Sequence, residues 1–178
     1  MSIASSTLRT MLLAAAAVTA GAVAAPGAQA QQRNCIDTLA GLPEFSRFVN
    51  AVVHTHVVQD FRQARDITVF APTNDGLRRA DPTLMDRLFP RDDMGQREAD
   101  PVLAPAAIGA HVVTGRHDAA ELGRGAQFTT VAGTPLTVTR TADGLTVQGA
   151  ANMQAHVTRP DIACSNGVIQ GIDTVLIR

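Results

Sequence analysis

The order of hydrophobic patterns along the chain is the feature that most restricts its fold. In the first half, apolar residues recur at the spacing of one helix face, which we expect to be buried, as Phe45, Phe48, Val49, Val52 and Val53 do. In the second half, short β-rich runs are separated by Gly, Pro, Asp or Asn at spacings of about 8–12 residues. Helices followed by antiparallel strands predict an α+β fold, because a nucleotide-binding sheet would instead alternate strands with helices.

The pattern places individual elements. We expect helices over residues 35–64 (with a break at 41–43), 73–80, 83–89 and 102–111, and an exposed loop over 90–100. We expect strands over residues 67–71, 128–131, 136–140, 145–148, 155–158 and 168–177. The last run is long enough to bend and to take part in two sheets.

The N-terminal thirty residues have the three parts of a secretory signal peptide. A short polar start carrying Arg9 precedes an apolar run over residues 11–25, and Ala28 and Ala30 suit the −3 and −1 positions of a cleavage site. The run is shorter than the roughly 20 residues that span a bilayer. We therefore expect residues 1–30 to be removed and residues 31–178 to form one exported domain, in the periplasm or outside the cell. A retained membrane anchor is the alternative.

Export bears on the state of the two cysteines. Cys35 and Cys164 both lie in the expected mature chain, and an oxidising compartment favours a disulfide between them. Two free buried thiols are the alternative.

Composition excludes several classes of partner. The chain has a net charge of −1 and contains no Trp or Tyr. Loss of Arg9 with the signal peptide would bring the charge to −2. Nucleic acid and anionic membranes require a concentrated basic surface, so neither is expected as the main partner. A sugar-stacking platform would depend on six Phe residues, most of them at predicted core positions.

No motif predicts catalysis or metal binding. The sequence lacks a Gly-x-Ser-x-Gly elbow, a phosphate-binding glycine loop and a His-Glu-x-x-His pair. On a helix, His54 and His56 point about 200° apart, so both cannot readily bind one ion. His111 is expected to make an internal hydrogen bond near the core. We expect no enzyme activity, cofactor or metal.

Two sequence blocks carry a family resemblance. Residues 68–77 (TVFAPTNDGL) and 166–176 (NGVIQGIDTVL) resemble the two signature blocks of fasciclin (FAS1) domains, in the same order. The chain is similar to a bacterial, secreted, single-domain member. The resemblance implies a wedge of two β-sheets with several short helices packed on one side, and a role in adhesion. The block residues expected to be architectural are Thr68, Phe70, Pro72, Thr73, Asn74, Asp75, Asn166, Gly167, Ile169 and Asp173.

The sequence departs from the family pattern beside the candidate binding residues. Ala110 stands where the family carries Tyr before His111, and Gln170-Gly171 replace a His and an apolar residue. Asp161-Ile162 matches a short element that, with the segment around His111, is implicated in integrin binding by animal relatives. The resemblance therefore makes His111, Asp161 and Ile162 candidate binding residues. The alternative is that Asp161 caps a turn and Ile162 fills the core.

These observations favour a non-catalytic, monomeric interaction module that binds a surface protein or polysaccharide in the envelope or extracellular matrix. The alternative is a periplasmic small-ligand carrier or stress-protective protein. An exposed apolar patch over a filled interior would favour the first function. A sizeable apolar pocket with a few converging polar groups would favour the second.

Overall fold

The computed structural model describes residues 33–91, 94–95 and 97–178. The predicted signal peptide lies outside these residues. The helices among them are α1 Cys35–Ala40, α2 Ser46–His54, α3 Val58–Gln63, α4 Asn74–Arg79, α5 Pro82–Leu88, α6 Leu103–Gly109 and α7 Ala119–Leu122. Short 3-10 helices cover Pro43–Phe45 and Ala150–Asn152. The strands are β1 Ile67–Pro72, β2 Val112–Thr114, β3 Ala126–Thr129, β4 Pro135–Thr141, β5 Gly144–Gln148, β6 Gln154–Cys164 and β7 Gly167–Ile172.

The strands follow one another in the order β2-β1-β7-β6-β5-β4-β3. β1 and β7 are parallel, and every other neighbouring pair is antiparallel. The two ends of this order approach each other, since Val113 bridges to Thr130 and the Val131 N–H donates to the Val112 carbonyl at 2.8 Å. The α+β prediction is confirmed, with a mostly antiparallel sheet that nearly closes on itself.

The core has two main parts that share β1 and β7. On one side, the helices pack on the sheet in what we call the helix-side core, which contains Phe45, Phe48, Val52, Val69 and Ile169. On the other side, the curled sheet encloses a second cluster that contains Phe70, Leu136, Val138, Val147 and Ile172. β1 is therefore buried on both faces, which explains its continuous apolar run.

The predicted helix over residues 35–64 contains a break that the prediction missed. α2 ends at His54, and His56 has a φ of 60°, a left-handed conformation that no helix interior accepts. The Thr55 hydroxyl donates to the Val52 carbonyl at 2.9 Å and closes the end of α2. Val53, expected on the buried face, is half exposed.

One strand was not predicted, and the strand shared by both halves of the sheet was predicted wrongly. Val112–Thr114, near which the helix expected over residues 102–111 was to end, forms β2 against β1. The strand shared by both halves of the sheet is β6, because its start pairs with β5 and its remainder pairs with β7. The run over 168–177, expected to fill that role, leaves the sheet after Ile172. Among the described residues, no helix has the length and apolarity needed to cross a membrane.

Candidate functional site

The disulfide between Cys35 and Cys164 is present and joins α1 to the end of β6 across a sequence separation of 129 residues. Beside it, Asn166 ties three segments together. Its Oδ1 accepts from the Cys35 N–H at 2.8 Å, and its Nδ2 donates to the carbonyls of Phe61 at 2.7 Å and Ala64 at 3.0 Å. The first residue of the second block therefore holds α1 and α3 against the turn between β6 and β7.

The first block fastens β1 to its surroundings. The Thr68 hydroxyl donates to the Gly115 carbonyl at 2.8 Å and accepts from the His117 N–H at 2.9 Å. Thr73 caps α4, since its hydroxyl accepts from the Gly76 N–H at 3.2 Å. Asn74, beside it, instead donates from Nδ2 to the Pro43 carbonyl at 2.9 Å. All of these contacts are internal.

The remaining block residues have similar internal surroundings. Pro72 ends β1 opposite Ile172 of β7. Asp75 forms an exposed ion pair with Arg78 one turn along α4. The Asp173 carboxylate accepts from the His156 N–H at 2.7 Å and so joins the end of β7 to β6.

His111 is buried, with 3% of its surface exposed. Its Nε2 accepts from the Leu176 N–H at 3.0 Å, so the ring proton lies on Nδ1, which donates to the Ala107 carbonyl at 2.8 Å. Burial lowers the pKa of His111 from 6.5 to about 4, and the bond to Ala107 opposes this only in part. The imidazole is therefore neutral at pH 7, and no partner reaches it in this conformation.

This neutral, buried ring predicts a pH-dependent stability. Between pH 6.5 and about 4, the unfolded chain takes up a proton at His111 that the folded chain does not, so the free energy of unfolding falls as the pH falls. We expect a contribution of about 2–3 kcal/mol between pH 7 and pH 4.5. Urea unfolding at both pH values measures it. His111→Gln keeps an acceptor for Leu176, and its free energy of unfolding should lack this contribution to the pH dependence. If the free energy of unfolding falls equally with pH in the variant and in the unaltered protein, the account is refuted.

Asp161 and Ile162 lie on the irregular part of β6, where the pairing with β7 shifts twice. Asp161 has a φ of 57°, and its Oδ1 accepts from the Ala119 N–H and from Gln170 Nε2, both at 2.8 Å. Ile162 is half-buried against the helix-side core. Asp161 thus holds the start of α7, and its network does not include His111, which bonds to Ala107 and Leu176.

Gln170 is a residue whose role the sequence did not reveal. It is fully buried on β7, its Oε1 accepts from the Asp161 N–H at 3.1 Å, and its Nε2 also donates to the His117 carbonyl at 3.2 Å. The neighbouring Gly171 permits a close approach, because a Cβ there would lie 2.9 Å from both Phe45 and Arg159. Gln170 and Gly171, the two departures from the family pattern on β7, therefore accommodate the irregular part of β6: the first bonds to Asp161, and the second leaves room for Arg159.

An apolar surface forms around α6, and sequence reasoning did not single it out. Residues 101–109 (PVLAPAAIG) contain no polar side chain, although only Ala104, Ala107 and Ile108 of α6 are buried. Val102 is 73% exposed, Leu103 41% and Val131, in the adjoining turn, 63%. A helix that is apolar all round is normally buried. We call Val102, Leu103, Pro105, Ala106, Gly109 and Val131 the α6 surface.

A groove of about 360 Å³ adjoins this surface. Its lining is mostly apolar and includes Phe61, Ile67, Ile108 and Val112, while Asp60 and Arg65 are its charged members. Pro105, Gly109 and Val131 belong to both the groove and the α6 surface. In the part of the chain that the structure describes, no three His, Cys, Asp or Glu residues are grouped so as to hold a metal ion.

Comparisons with known proteins agree with this architecture. The sequence model of the fasciclin domain matches residues 43–178. An uncharacterized protein of Synechocystis sp. is 29% identical over 144 residues, which are 81% of this chain and 97% of that protein. The FAS1 domain pair of the insect cell adhesion molecule Fasciclin I has the same fold, with a TM-score of 0.61 and 21% identity. That match covers 75% of this chain and 45% of the domain pair, so the chain spans less than half of the two-domain structure. The chain belongs to the fasciclin domain family.

Proposed function

We propose that this protein is an exported, non-catalytic interaction module that binds a partner protein at the cell surface or in the extracellular matrix through the α6 surface. The observation that carries the proposal is the exposure of Val102, Leu103 and Val131 around a helix without polar side chains. Contiguous exposed apolar side chains of this kind are typical of protein-binding surfaces.

The kind of partner follows from the chemistry of this surface. Sugars are usually held by aromatic platforms and directed hydrogen bonds, and the chain has no Trp or Tyr. The α6 surface offers aliphatic side chains and proline instead, which complement an apolar segment of another protein. A net charge near zero leaves little long-range electrostatic attraction, so we attribute binding to apolar contact and shape.

Export is supported by the Cys35–Cys164 disulfide, since such bonds persist in oxidising compartments. The signal-peptide pattern of residues 1–30 also supports export. The insect protein with the same fold is named a cell adhesion molecule, and this name supports an adhesive role for the present chain.

Site-specific crosslinking in living cells tests the proposal. A photoreactive phenylalanine analogue at Leu103 should yield a discrete adduct with another protein. The same analogue at Thr139, which is exposed on β4, serves as the control and should not. The Leu103 adduct should disappear when Val131→Asp places a charge on the α6 surface. Equal adducts at both positions, or none at Leu103, would contradict the proposal.

A second candidate function is supported by the groove beside α3. Its volume of about 360 Å³ lies in the range of small-molecule sites, and its lining is largely apolar. A small apolar ligand bound there would make the protein a carrier in the periplasm. Extraction of the protein purified from its host, followed by mass spectrometry, should then release a stoichiometric small molecule, and its absence would remove this candidate.

A further inference from the structure

A second cavity, of about 410 Å³, lies on the outer side of α2 between α4, α5 and the segment at Arg97. It shares no lining residue with the groove described above. Its floor is apolar and is formed by Ala51, Leu77, Met85 and Phe89. Met85 and Phe89 are half-buried, so part of each side chain is available to a ligand.

Nitrogen-bearing side chains border this floor, and two of them are arginines. Arg47, His54 and Arg97 line the cavity together with Asn50, and no acidic residue is among the described residues that line it. The guanidinium of Arg47 makes no hydrogen bond or ion pair with any residue that the structure describes, and it is exposed to solvent. It is therefore free to bind an anion.

The other two groups are held in place. Arg97 donates from Nη1 to the Phe89 carbonyl at 2.8 Å and from Nη2 to Asp86 at 2.7 Å. This ion pair offsets part of the Arg97 charge but fixes its guanidinium at the cavity. His54 Nδ1 lies 2.7 Å from the Asn50 carbonyl, so this nitrogen donates and Nε2 is left for a ligand.

We propose that this cavity binds a small organic acid, with an aromatic or branched apolar group on the floor and a carboxylate on Arg47. The two parts act together. Arginine binds carboxylates through charge-assisted, often bidentate hydrogen bonds. The floor removes the apolar group from water and offers the ring of Phe89 as a stacking partner. Neither Arg47 nor Phe89 was singled out for function by the sequence.

The choice of probes separates the two contributions. Phenylacetate carries both the ring and the carboxylate, phenylacetamide carries the ring without the charge, and acetate carries the charge without the ring. Each is titrated into the isotopically labelled protein and followed by NMR shifts of amides in α2 and α5. Phenylacetate should bind at least about 10-fold more tightly than either of the others. Equal affinities would overturn the proposal. So would the absence of shifts in α2 and α5 at about 10 mM phenylacetate, because a site with a dissociation constant of about 1 mM would then be almost saturated.

Variants then assign the carboxylate to Arg47. Arg47→Gln should weaken phenylacetate binding about 10-fold and leave phenylacetamide unchanged. Arg124→Gln, at an exposed arginine in the turn before β3, is the matched control and should change neither. Asn50→Glu provides an independent variant, because an added anion on the rim should weaken phenylacetate binding by a similar factor. If both Arg47→Gln and Asn50→Glu bind phenylacetate as the unaltered protein does, the proposal is wrong.

Discussion

Replacing Cys35 and Cys164 together by alanine is expected to lower the free energy of unfolding by about 4–5 kcal/mol. The disulfide closes a loop of 129 residues, and in the chain-entropy model a loop of this length restricts the unfolded chain strongly. Both half-cystines are buried, so the bond also fixes α1 against the helix-side core. Urea unfolding of the oxidised protein and of the double variant measures the difference.

Reductant provides the control for this experiment. Dithiothreitol should bring the unmodified protein close to the stability of the double variant and should leave the double variant unchanged. A difference below about 1 kcal/mol between oxidised protein and double variant would contradict the account, since the loop-closure term would then be absent. If dithiothreitol also destabilised the double variant, its effect on the unmodified protein could not be assigned to the disulfide.

Gly167→Ala is expected to have the second large effect, a loss of more than about 3 kcal/mol of stability. A Cβ at Gly167 would overlap the carbonyl oxygen of Ile67 and lie 3.0 Å from its carbonyl carbon. These are backbone atoms of β1 directly opposite in the parallel pairing of β1 and β7, so no side-chain rotation relieves the overlap. The strands must therefore separate at this end of their pairing.

Gly41→Ala is the matched control for Gly167→Ala. Gly41 has a φ of −81°, which alanine adopts readily, and a Cβ there would meet the Thr38 carbonyl oxygen at an ordinary 3.4 Å. We expect its stability to change by less than about 0.5 kcal/mol. Thermal unfolding of both variants by circular dichroism compares them. Similar midpoints for the two would show that the close approach of β1 and β7 has been misjudged.

Much of the fold could be predicted from the sequence where local pattern and tertiary burial agree. β1, α5 and β4 lie close to their expected positions. In each of them the apolar residues face the core and recur at the spacing of that type of element. β2 was missed because three residues carry too little pattern to be separated from the end of α6. β6 runs through Pro160, which normally argues against a strand. The shifted pairing between Arg159 and Ile162 is what accommodates that proline.

The candidate site was less accessible to sequence reasoning. His111 makes the expected internal hydrogen bonds, Asp161 bonds to the start of α7, and Ile162 is half-buried, while binding through these three residues stays a prediction. Exposure is a tertiary property, however. Residues 101–109 look like an ordinary buried helix until the fold shows that Val102 and Leu103 are exposed. The meeting of Arg47 with Arg97 likewise depends on how α2 packs against the segment after α5.

The measurement that tests the central claim most directly is surface attachment by cells that lack the gene and carry it again in three forms. The unaltered gene and a Thr139→Asp control should restore attachment equally. A gene with Val102→Asp and Val131→Asp should restore none, although its product is exported and folded to the same level by immunoblot and by disulfide content. Full restoration by that double variant would contradict the claim that the α6 surface binds the partner.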